Sequence, residues 1–429
     1  MTAMRYVLLL SLVLAGQTPP EQAGLPSTPS ACLKVVTDRM QERQRQAAPM
    51  TADIARAIQA DRMAMLKACA AKFDAATVPA AELTSLADLQ GQAGLSDLAR
   101  ATIAKALAAK PASEVERADT LAQAVRTGLT EPKGDVRNAR LETYVDELDA
   151  MSPAVFEQQF RAHQSMLGYY RGDDIDAGII KHATWIIAAS KNFKPADRQR
   201  LGMTVASAHV DMAEAWAGQG MNDKALALLK SGDAAWGDLP RVRESYFTPE
   251  IERYSLVGLP AAAITAPRWL NAPAAQRTLD LKGQVSLVEF TAHWCGPCRE
   301  SYPGINRLRQ RFESRGFRVV MVTRFYGYYQ SERNLSADAE LARDRDYFAD
   351  YKLDVPVAVG DLVTVQVQNG KVVYLPGPDQ NEDAYKVTGI PQIQLVDRQG
   401  RIRLIMVGYD DANEEKLAGI ITGLLAERK

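Results

Sequence analysis

Several common functional signals are weak or missing in this sequence. The 51 Lys and Arg residues against 52 Asp and Glu residues leave a net charge of -1, so no excess charge favours nucleic acid or an acidic membrane surface as partner. Histidine is rare, and His163, His182 and His209 lack the carboxylate or cysteine spacing of a metal site. We therefore expect each of these three histidines to be a core or surface residue, and we expect no metal site.

Cysteine is also scarce, and the spacing separates the four cysteines into two pairs. Cys32 and Cys69 are distant in sequence and are the candidates for a structural disulfide, which would contribute about 4 kcal/mol by closing their loop. Two buried free thiols are the alternative. Cys295 and Cys298 form a C-x-x-C pair, and the sequence has no second C-x-x-C or histidine pair to complete a zinc site.

Long apolar runs are absent except at the start of the chain. Arg5 precedes an apolar run over residues 6–15, and small and polar residues with Pro19-Pro20 follow it. This order predicts a signal peptide over residues 1–17 and a flexible leader over 18–30. The protein is expected to be periplasmic or otherwise exported, and soluble after cleavage. An N-terminal helix that stays in the fold is the alternative. A lipoprotein would need a cysteine where Gln17 or Thr18 stands.

Residues 31–257 are predicted to form an all-α domain. They are rich in Ala, Leu, Gln, Arg and Glu, with apolar residues at helical spacing between Gly and Pro breaks. Residues 213–230 resemble one helical hairpin of a tetratricopeptide array, although no fixed repeat period is found upstream. Such a domain would present a surface to a partner protein or serve only to stabilise the fold.

A second domain is predicted over residues 258–429, because near Gly258 helical spacing gives way to Pro, Gly and short apolar runs. Strands are expected at residues 284–291, 317–323, 355–359, 393–396 and 402–407, with helices at 295–314, from Ser336, and around 417–424. Asn369-Gly370 predicts a hairpin within residues 363–375. The order of elements is that of an α/β domain.

The stretch 288–299 places two thiols one helical turn apart, between a buried strand and a helix. Cys295 would lie at the helix N-terminus, where free N–H groups and the macrodipole favour a thiolate. Cys298 would lie one turn deeper, close enough to attack a mixed disulfide on Cys295. This spacing predicts dithiol chemistry.

Further residues carry a family resemblance over residues 258–429. One set of residues resembles the pattern of the thioredoxin fold: Trp294-Cys295-Gly296-Pro297-Cys298, Pro303, Gly389-Ile390-Pro391 and Gly408. A second set resembles the TlpA/ResA-like branch of exported thiol-disulfide oxidoreductases: Gly258, Pro260, Trp269, Leu281-Lys282-Gly283 and the helix around 341–351. The helical domain and the long segment 363–383 lie outside the family pattern.

The resemblance implies a role for each matching position. Cys295 would be the nucleophile and Cys298 the resolving thiol. Pro391 would be a cis proline facing the disulfide, with Ile390 before it meeting the substrate backbone. Glu289 would be the buried acid that manages the proton of the deeper thiol, and a solvent-facing strand residue is its alternative.

The residues around the first thiol complete the implied site. Trp294 would pack beside the disulfide and contact substrate together with Gly296 and Pro297. His293 is expected to be a surface residue, and an imidazolium that helps to hold the thiolate is its alternative.

The function predicted from these residues is that of an exported thiol-disulfide oxidoreductase. It would exchange disulfides with protein thiol and disulfide clients, without metal or organic cofactor. Its Gly-Pro dipeptide resembles that of reducing thioredoxins, which indicates reduction of protein disulfides with electrons from a membrane donor. A disulfide oxidant or isomerase, and a scaffold that binds through the helical domain, are the alternatives. A peroxidase is disfavoured because Thr291 stands four residues before Cys295 rather than three. The client and the oligomeric state stay open.

Overall fold

The computed structural model describes residues 25–47, 50–173, 175–362, 364–368, 371–375, 379–409 and 411–427. The predicted signal peptide and the predicted Asn369-Gly370 turn lie outside these residues. The first helix begins at Pro29, inside the segment predicted as leader, because the Thr28 hydroxyl caps it by accepting the N–H of Ala31 at 3.3 Å. The chain divides into two compact units, Met1–Met166 and Leu167–Lys429.

Helices make up the described secondary structure of the first unit, apart from short 3₁₀ turns. In order they are α1 Pro29–Gln46, α2 Ala52–Ala70, α3 Leu83–Gln92, α4 Ser96–Ala108, α5 Glu114–Gly128, α6 Asp135–Asp149 and the first part of α7 Phe156–Gly172. Consecutive helices from α1 to α6 pack together, and α3 also contacts α1 and α5. The all-α prediction is confirmed for this region. The specific tetratricopeptide likeness stays a prediction.

More helices open the second unit. They are α8 Asp176–Ser190, α9 Pro195–Gly218, α10 Asn222–Trp236, α11 Pro240–Val242 and α12 Thr248–Tyr254, with a π-helical turn at Arg243–Phe247. α9 and α10 form the predicted hairpin, and the first of them ends at Gly218. Among the helices of the described residues, none combines the length and the apolar character needed to cross a membrane.

An α/β region follows these helices, as predicted. Its strands are β1 Ile264–Thr265, β2 Arg268–Leu270, β3 Thr278–Leu279, β4 Val285–Phe290, β5 Phe317–Arg324, β6 Tyr328–Tyr329, β7 Glu332–Arg333, β8 Val357–Gly360, β9 Thr364–Gln368, β10 Lys371–Leu375, β11 Gln392–Val396 and β12 Ile402–Val407. Its helices are α13 Gly296–Phe312, α14 Ala337–Asp350, α15 Gln380–Ala384 and α16 Asp411–Ala426.

Among the described residues, six strands form the main sheet in the order β12-β11-β4-β5-β8-β2. β4, β5 and β8 run parallel, while β11, β12 and β2 pair antiparallel to their neighbours. β9 and β10 pair antiparallel as a separate hairpin. This mixed sheet with helices confirms the predicted thioredoxin-like α/β class.

The central strand β4 is buried along its whole length, so its side chains enter a core on each face of the sheet. Leu287 belongs to the core that includes Tyr302 of α13 and Leu417 of α16. Its neighbour Val288 belongs to the core on the other face. The strand therefore delivers the chain, at its carboxyl end, to the start of α13.

Two features of this region differ from the sequence prediction. The sequence predicts no strand before residue 284, but β1, β2 and β3 lie there, and β2 extends the main sheet beside β8. A small hairpin, β6 with β7, follows β5. Strands of two or three residues are too short to show an alternating pattern, so the sequence gives no periodic signal for them.

The predicted boundary near Gly258 marks the change from helices to strands rather than the division between the two units. Helix α9 contacts β12, so helices after Met166 pack with the α/β region. The chain at Gly258 takes a φ of 85°, and its N–H donates to the carbonyl oxygen of Ile402 at 2.7 Å. The position of the domain boundary stays a prediction.

Candidate active site

The C-x-x-C pair lies where β4 turns into α13. Cys295 is the N-cap residue of α13, and its Sγ accepts the N–H of Cys298 at 3.2 Å. The two cysteines are joined by a disulfide, with their Cα atoms 5.3 Å apart. Cys295 is only 3% exposed and Cys298 is fully buried. Half-buried Gly296 and exposed Pro297 form the first turn of the helix beside the disulfide.

A loop containing a cis peptide bond between Ile390 and Pro391 faces the disulfide. The carbonyl oxygen of Ile390 lies 3.7 Å from Sγ of Cys295. The carbonyl oxygen of Pro391 accepts the N–H of Gly408, at the end of β12, at 2.8 Å. The fold thus brings the predicted cis proline and the first thiol together across the site.

Glu289 lies on β4 with no exposed surface. Its Oε1 lies 2.8 Å from the hydroxyl oxygen of Ser301, and its Oε2 has no hydrogen-bond partner among the described residues. Burial raises the pKa of Glu289 to about 8, and the hydrogen bond from Ser301 opposes that rise. The carboxyl group is therefore mostly protonated at neutral pH.

Ser301 is a site residue that the sequence reasoning missed. It lies on α13 one turn after Cys298, is fully buried, and places its hydroxyl 2.7 Å from the carbonyl oxygen of Cys298. It thereby connects Glu289 to the backbone of the deeper cysteine. The available signal was a polar residue on the core-facing side of an amphipathic helix.

His293 does not lie at the surface, so that prediction is wrong. Only 7% of it is exposed, because the chain after β5 folds over it and packs three tyrosine rings around the imidazole. The ring centroids of Tyr326, Tyr328 and Tyr329 lie 5.6, 5.2 and 5.1 Å from that of His293. Burial lowers the pKa of His293 to about 4, so the ring is neutral at pH 7 and supplies no imidazolium to a thiolate.

A buried carboxylate holds the segment that carries Tyr326, Tyr328 and Tyr329. Glu340 of α14 accepts the backbone N–H groups of Tyr326 and Gly327 at 2.6 and 2.7 Å. Tyr326 in turn packs edge-on against Trp294, with the ring centroids 5.5 Å apart. Trp294 is 47% exposed, so an apolar surface borders the largely buried disulfide.

The other cysteine pair lies in the first unit. Cys32 of α1 and Cys69 of α2 are joined by a disulfide with their Cα atoms 6.1 Å apart, and both are buried in the core of these helices. Their surroundings are apolar, which fits a structural bond. The predicted core or surface histidines are all buried, and His209 lies against the backbone oxygen of Val205 at 2.8 Å.

This arrangement defines a thioredoxin-like dithiol–disulfide site. Its thiols can exist as a pair of thiols or as one disulfide, and a thiolate on Cys295 is favoured by the N-terminus of α13 and the N–H of Cys298. The chemistry open to such a pair is exchange with another disulfide or dithiol, which transfers two electrons.

Comparison with known proteins assigns the region that carries this site. Residues 256–421 match the family model described as Redoxin. Thiol:disulfide interchange protein DsbE of Pseudomonas aeruginosa is 30% identical over 176 residues, which cover 40% of this chain and 79% of that protein. Thiol-disulfide oxidoreductase ResA of Bacillus cereus is 22% identical over 142 residues, which cover 33% of this chain.

The chain belongs to this ResA- and DsbE-like family of thiol-disulfide oxidoreductases. It spans 64% of the length of the Bacillus cereus ResA protein. A solved structure of a thiol-disulfide isomerase from Corynebacterium glutamicum is 21% identical, with a TM-score of 0.30 and coverage of 39% of this chain and 97% of that one. The Redoxin match begins at residue 256, so the helices up to α12 lie outside it.

Proposed function

We propose that this protein is an exported enzyme that reduces disulfides in client proteins by thiol–disulfide exchange at Cys295 and Cys298. The observation that carries the proposal is the disulfide at the start of α13, with Sγ of Cys295 3.7 Å from the carbonyl oxygen of Ile390. No metal or organic cofactor takes part in the proposed reaction, because the two sulfur atoms carry both electrons.

The first step is attack on a client disulfide by Cys295. Its thiolate is stabilised by the N–H of Cys298 and by the N-terminal end of α13. A bond forms between Sγ of Cys295 and one client sulfur, while the client disulfide breaks and its other sulfur leaves as a thiolate. The product is a mixed disulfide between enzyme and client.

The second step is resolution by Cys298. Its thiol loses a proton to the carboxylate form of Glu289, and its sulfur attacks Sγ of Cys295 and expels the second client thiolate. Two electrons have then passed from enzyme to client, and the enzyme holds the Cys295–Cys298 disulfide. A carboxyl group with a pKa of about 8 exchanges protons readily near neutral pH, which suits Glu289 to this role.

The client is proposed to bind between the cis-proline loop and the first turn of α13. Ile390 would meet the client backbone next to the reacting sulfur, while Gly296 and Pro297 would contact it from the helix. The exposed face of Trp294 offers apolar contact beside the disulfide. A protein segment rather than a small thiol makes use of all these contacts.

The enzyme must be returned to its dithiol form after each turnover. If the protein is exported, as its N-terminal sequence predicts, the electrons come from a donor in the membrane. A measured reduction potential of the Cys295–Cys298 pair near that of thioredoxin, about −270 mV, would support reduction as the direction of electron flow. A potential near that of the strong oxidant DsbA, about −120 mV, would instead assign the protein as a disulfide oxidant.

The experiment that tests the proposed activity is reduction of insulin by the full chain with dithiothreitol as electron source. The wild-type protein should accelerate precipitation of the insulin B chain, and Cys295→Ser should abolish the acceleration because it removes the attacking sulfur. The double variant Cys32→Ala/Cys69→Ala is the matched control and should retain the activity. Absence of thiol-dependent activity in the wild type rejects the proposal.

A binding role for the helices is the second candidate. A groove of about 630 Å³ in the first unit is lined by residues of α3, α5 and α7, including Asp88, Asp119 and Gln164. Such a polar groove suits a hydrogen-bonding protein segment. If binding is the whole function, a variant with both Cys295 and Cys298 changed to serine should bind its partner and function as the wild type does.

A further inference from the structure

Helix α12, which precedes the region matched by the Redoxin model, reaches the loop that faces the disulfide. Nη1 of Arg253 donates a hydrogen bond to Oγ1 of Thr388 at 3.2 Å. Thr388 is followed directly by Gly389, Ile390 and the cis Pro391. A second link joins the same two segments, since Lys386 lies 3.6 Å from the carboxylate of Glu252.

We propose that Arg253 is a positioning residue, which fixes the cis-proline loop through Thr388 so that Ile390 meets a protein client in the right place. The proposal rests on the proposed function and adds a role for a helix outside the family match. Arg253 touches neither sulfur, and it acts only through the loop.

The surroundings of Arg253 fix the direction of its guanidinium group. Arg253 is 3% exposed, and it is paired with the buried carboxylate of Glu250 on the same helix. Burial and the nearby Glu250 raise the pKa of Glu214 to about 8, against the effect of Arg253, so Glu214 is mostly protonated at pH 7.

Such a buried pair is a poor source of net stability, because desolvation of the two charges offsets most of their attraction. Its consequence here is geometric. The planar guanidinium group is held on one side by Glu250 and presents an N–H to Thr388 on the other.

The loop is short, and the structure anchors it at both ends. On the exit side the carbonyl oxygen of Pro391 accepts the N–H of Gly408 at 2.8 Å. On the entry side Thr388 accepts from Arg253. The carbonyl oxygen of Ile390, 3.7 Å from Sγ of Cys295, lies between these anchors. Loss of the entry anchor should loosen the loop without altering the disulfide.

The most selective test is Thr388→Val, with Thr388→Ser as the conservative control that keeps the hydroxyl. Thr388 is exposed and valine has nearly the same shape, so the fold should be retained. In Thr388→Val we expect amide exchange in residues 386–390 to accelerate about tenfold, and KM for insulin to rise about tenfold with kcat nearly unchanged. Reduction of the small substrate hydroxyethyl disulfide should not change, because it needs no loop contact.

A second variant approaches the contact from the helix. Glu250→Gln/Arg253→Met removes both buried charges together and avoids an unpaired carboxylate, and it should reproduce the Thr388→Val results. Arg243→Met is the matched control, because Arg243 forms an exposed pair with Asp233 at 2.9 Å. It should match the wild type in exchange and in KM.

Two results overturn the proposal. One is Thr388→Val with wild-type exchange in residues 386–390 and wild-type KM. The other is an equal loss of activity toward insulin and hydroxyethyl disulfide, which indicates a general structural effect. If the wild type reduces neither substrate, the proposed function has failed, and the exchange measurement still decides whether Arg253 holds the loop.

Discussion

The hydroxyl oxygen of Ser301 lies 2.8 Å from Oε1 of Glu289. The same hydroxyl lies 2.7 Å from the carbonyl oxygen of Cys298, and a hydroxyl has only one hydrogen to donate. A protonated Glu289 resolves the competition, because it donates to Ser301 while Ser301 donates to Cys298. Ionisation of Glu289 reverses the first bond, so Ser301 then donates to the carboxylate. The protonation state of Glu289 is thus linked to the backbone of the resolving cysteine.

The first prediction concerns stability and pH. The ordinary pKa of a glutamate is 4.5, and that of folded Glu289 is about 8. Between these values the folded state holds one more proton, so the free energy of unfolding falls by about 1.4 kcal/mol for each pH unit of increase. Glu289→Gln cannot titrate and should remove this contribution. Urea denaturation of the oxidised protein between about pH 5 and 8 measures it, and parallel curves for variant and wild type contradict the assigned burial.

The second prediction concerns the partner of that acid. Ser301→Ala removes the hydrogen bond that lowers the pKa of Glu289, so this pKa should rise above its wild-type value. The expected result is a shift of the glutamate carboxyl titration, followed by ¹³C NMR, toward higher pH. Ser301→Thr keeps the hydroxyl and is the control. An unchanged or lowered pKa in Ser301→Ala speaks against the hydrogen bond.

The third prediction concerns the buried imidazole. The pKa of His293 is lowered to about 4, so no charge on this ring changes between pH 6 and 8. His293→Phe should therefore leave the pH dependence of iodoacetamide alkylation at reduced Cys295 unchanged over that range. A shift of the alkylation midpoint to higher pH shows instead that an imidazolium stabilises the thiolate.

The fourth prediction separates the two disulfides. Cys32 and Cys69 are 37 residues apart, and a cross-link over that distance restricts the unfolded chain by about 4 kcal/mol in the loop-entropy model. Cys32→Ala/Cys69→Ala should lower the denaturation midpoint of the first unit and leave insulin reduction intact. Loss of insulin reduction in a folded variant shows that this pair takes part in the reaction.

The sequence predicts the chemistry of the chain where one short motif contains it. Cys295 and Cys298 are one helical turn apart after an apolar strand, and that spacing alone places the first sulfur at the start of a helix. The role of Glu289 required the family resemblance, because the sequence alone leaves a solvent-facing strand residue as its alternative. The position of Pro391 required the family resemblance, because nothing local to Ile390 and Pro391 favours the cis form.

Contacts between distant segments could not be predicted from the sequence. His293 is buried by tyrosines more than thirty positions later in the chain, and no periodic pattern links the two segments. Arg253 and Thr388 are separated by 135 positions, so their hydrogen bond depends on how helix α12 packs. Such contacts follow from tertiary packing, which local propensity and spacing do not encode.

Trapping of the mixed disulfide tests thiol–disulfide exchange at Cys295 most directly. Cys298→Ser retains the attacking sulfur and removes the resolving one, so one client sulfur should stay bonded to Sγ of Cys295 as a mixed disulfide. Mass spectrometry of the complex after incubation with a disulfide-containing protein should locate the bond at Cys295. We expect this adduct in Cys298→Ser and its loss in Cys295→Ser/Cys298→Ser. Absence of an adduct on Cys295, with the variant folded and its thiol free, contradicts thiol–disulfide exchange at this site.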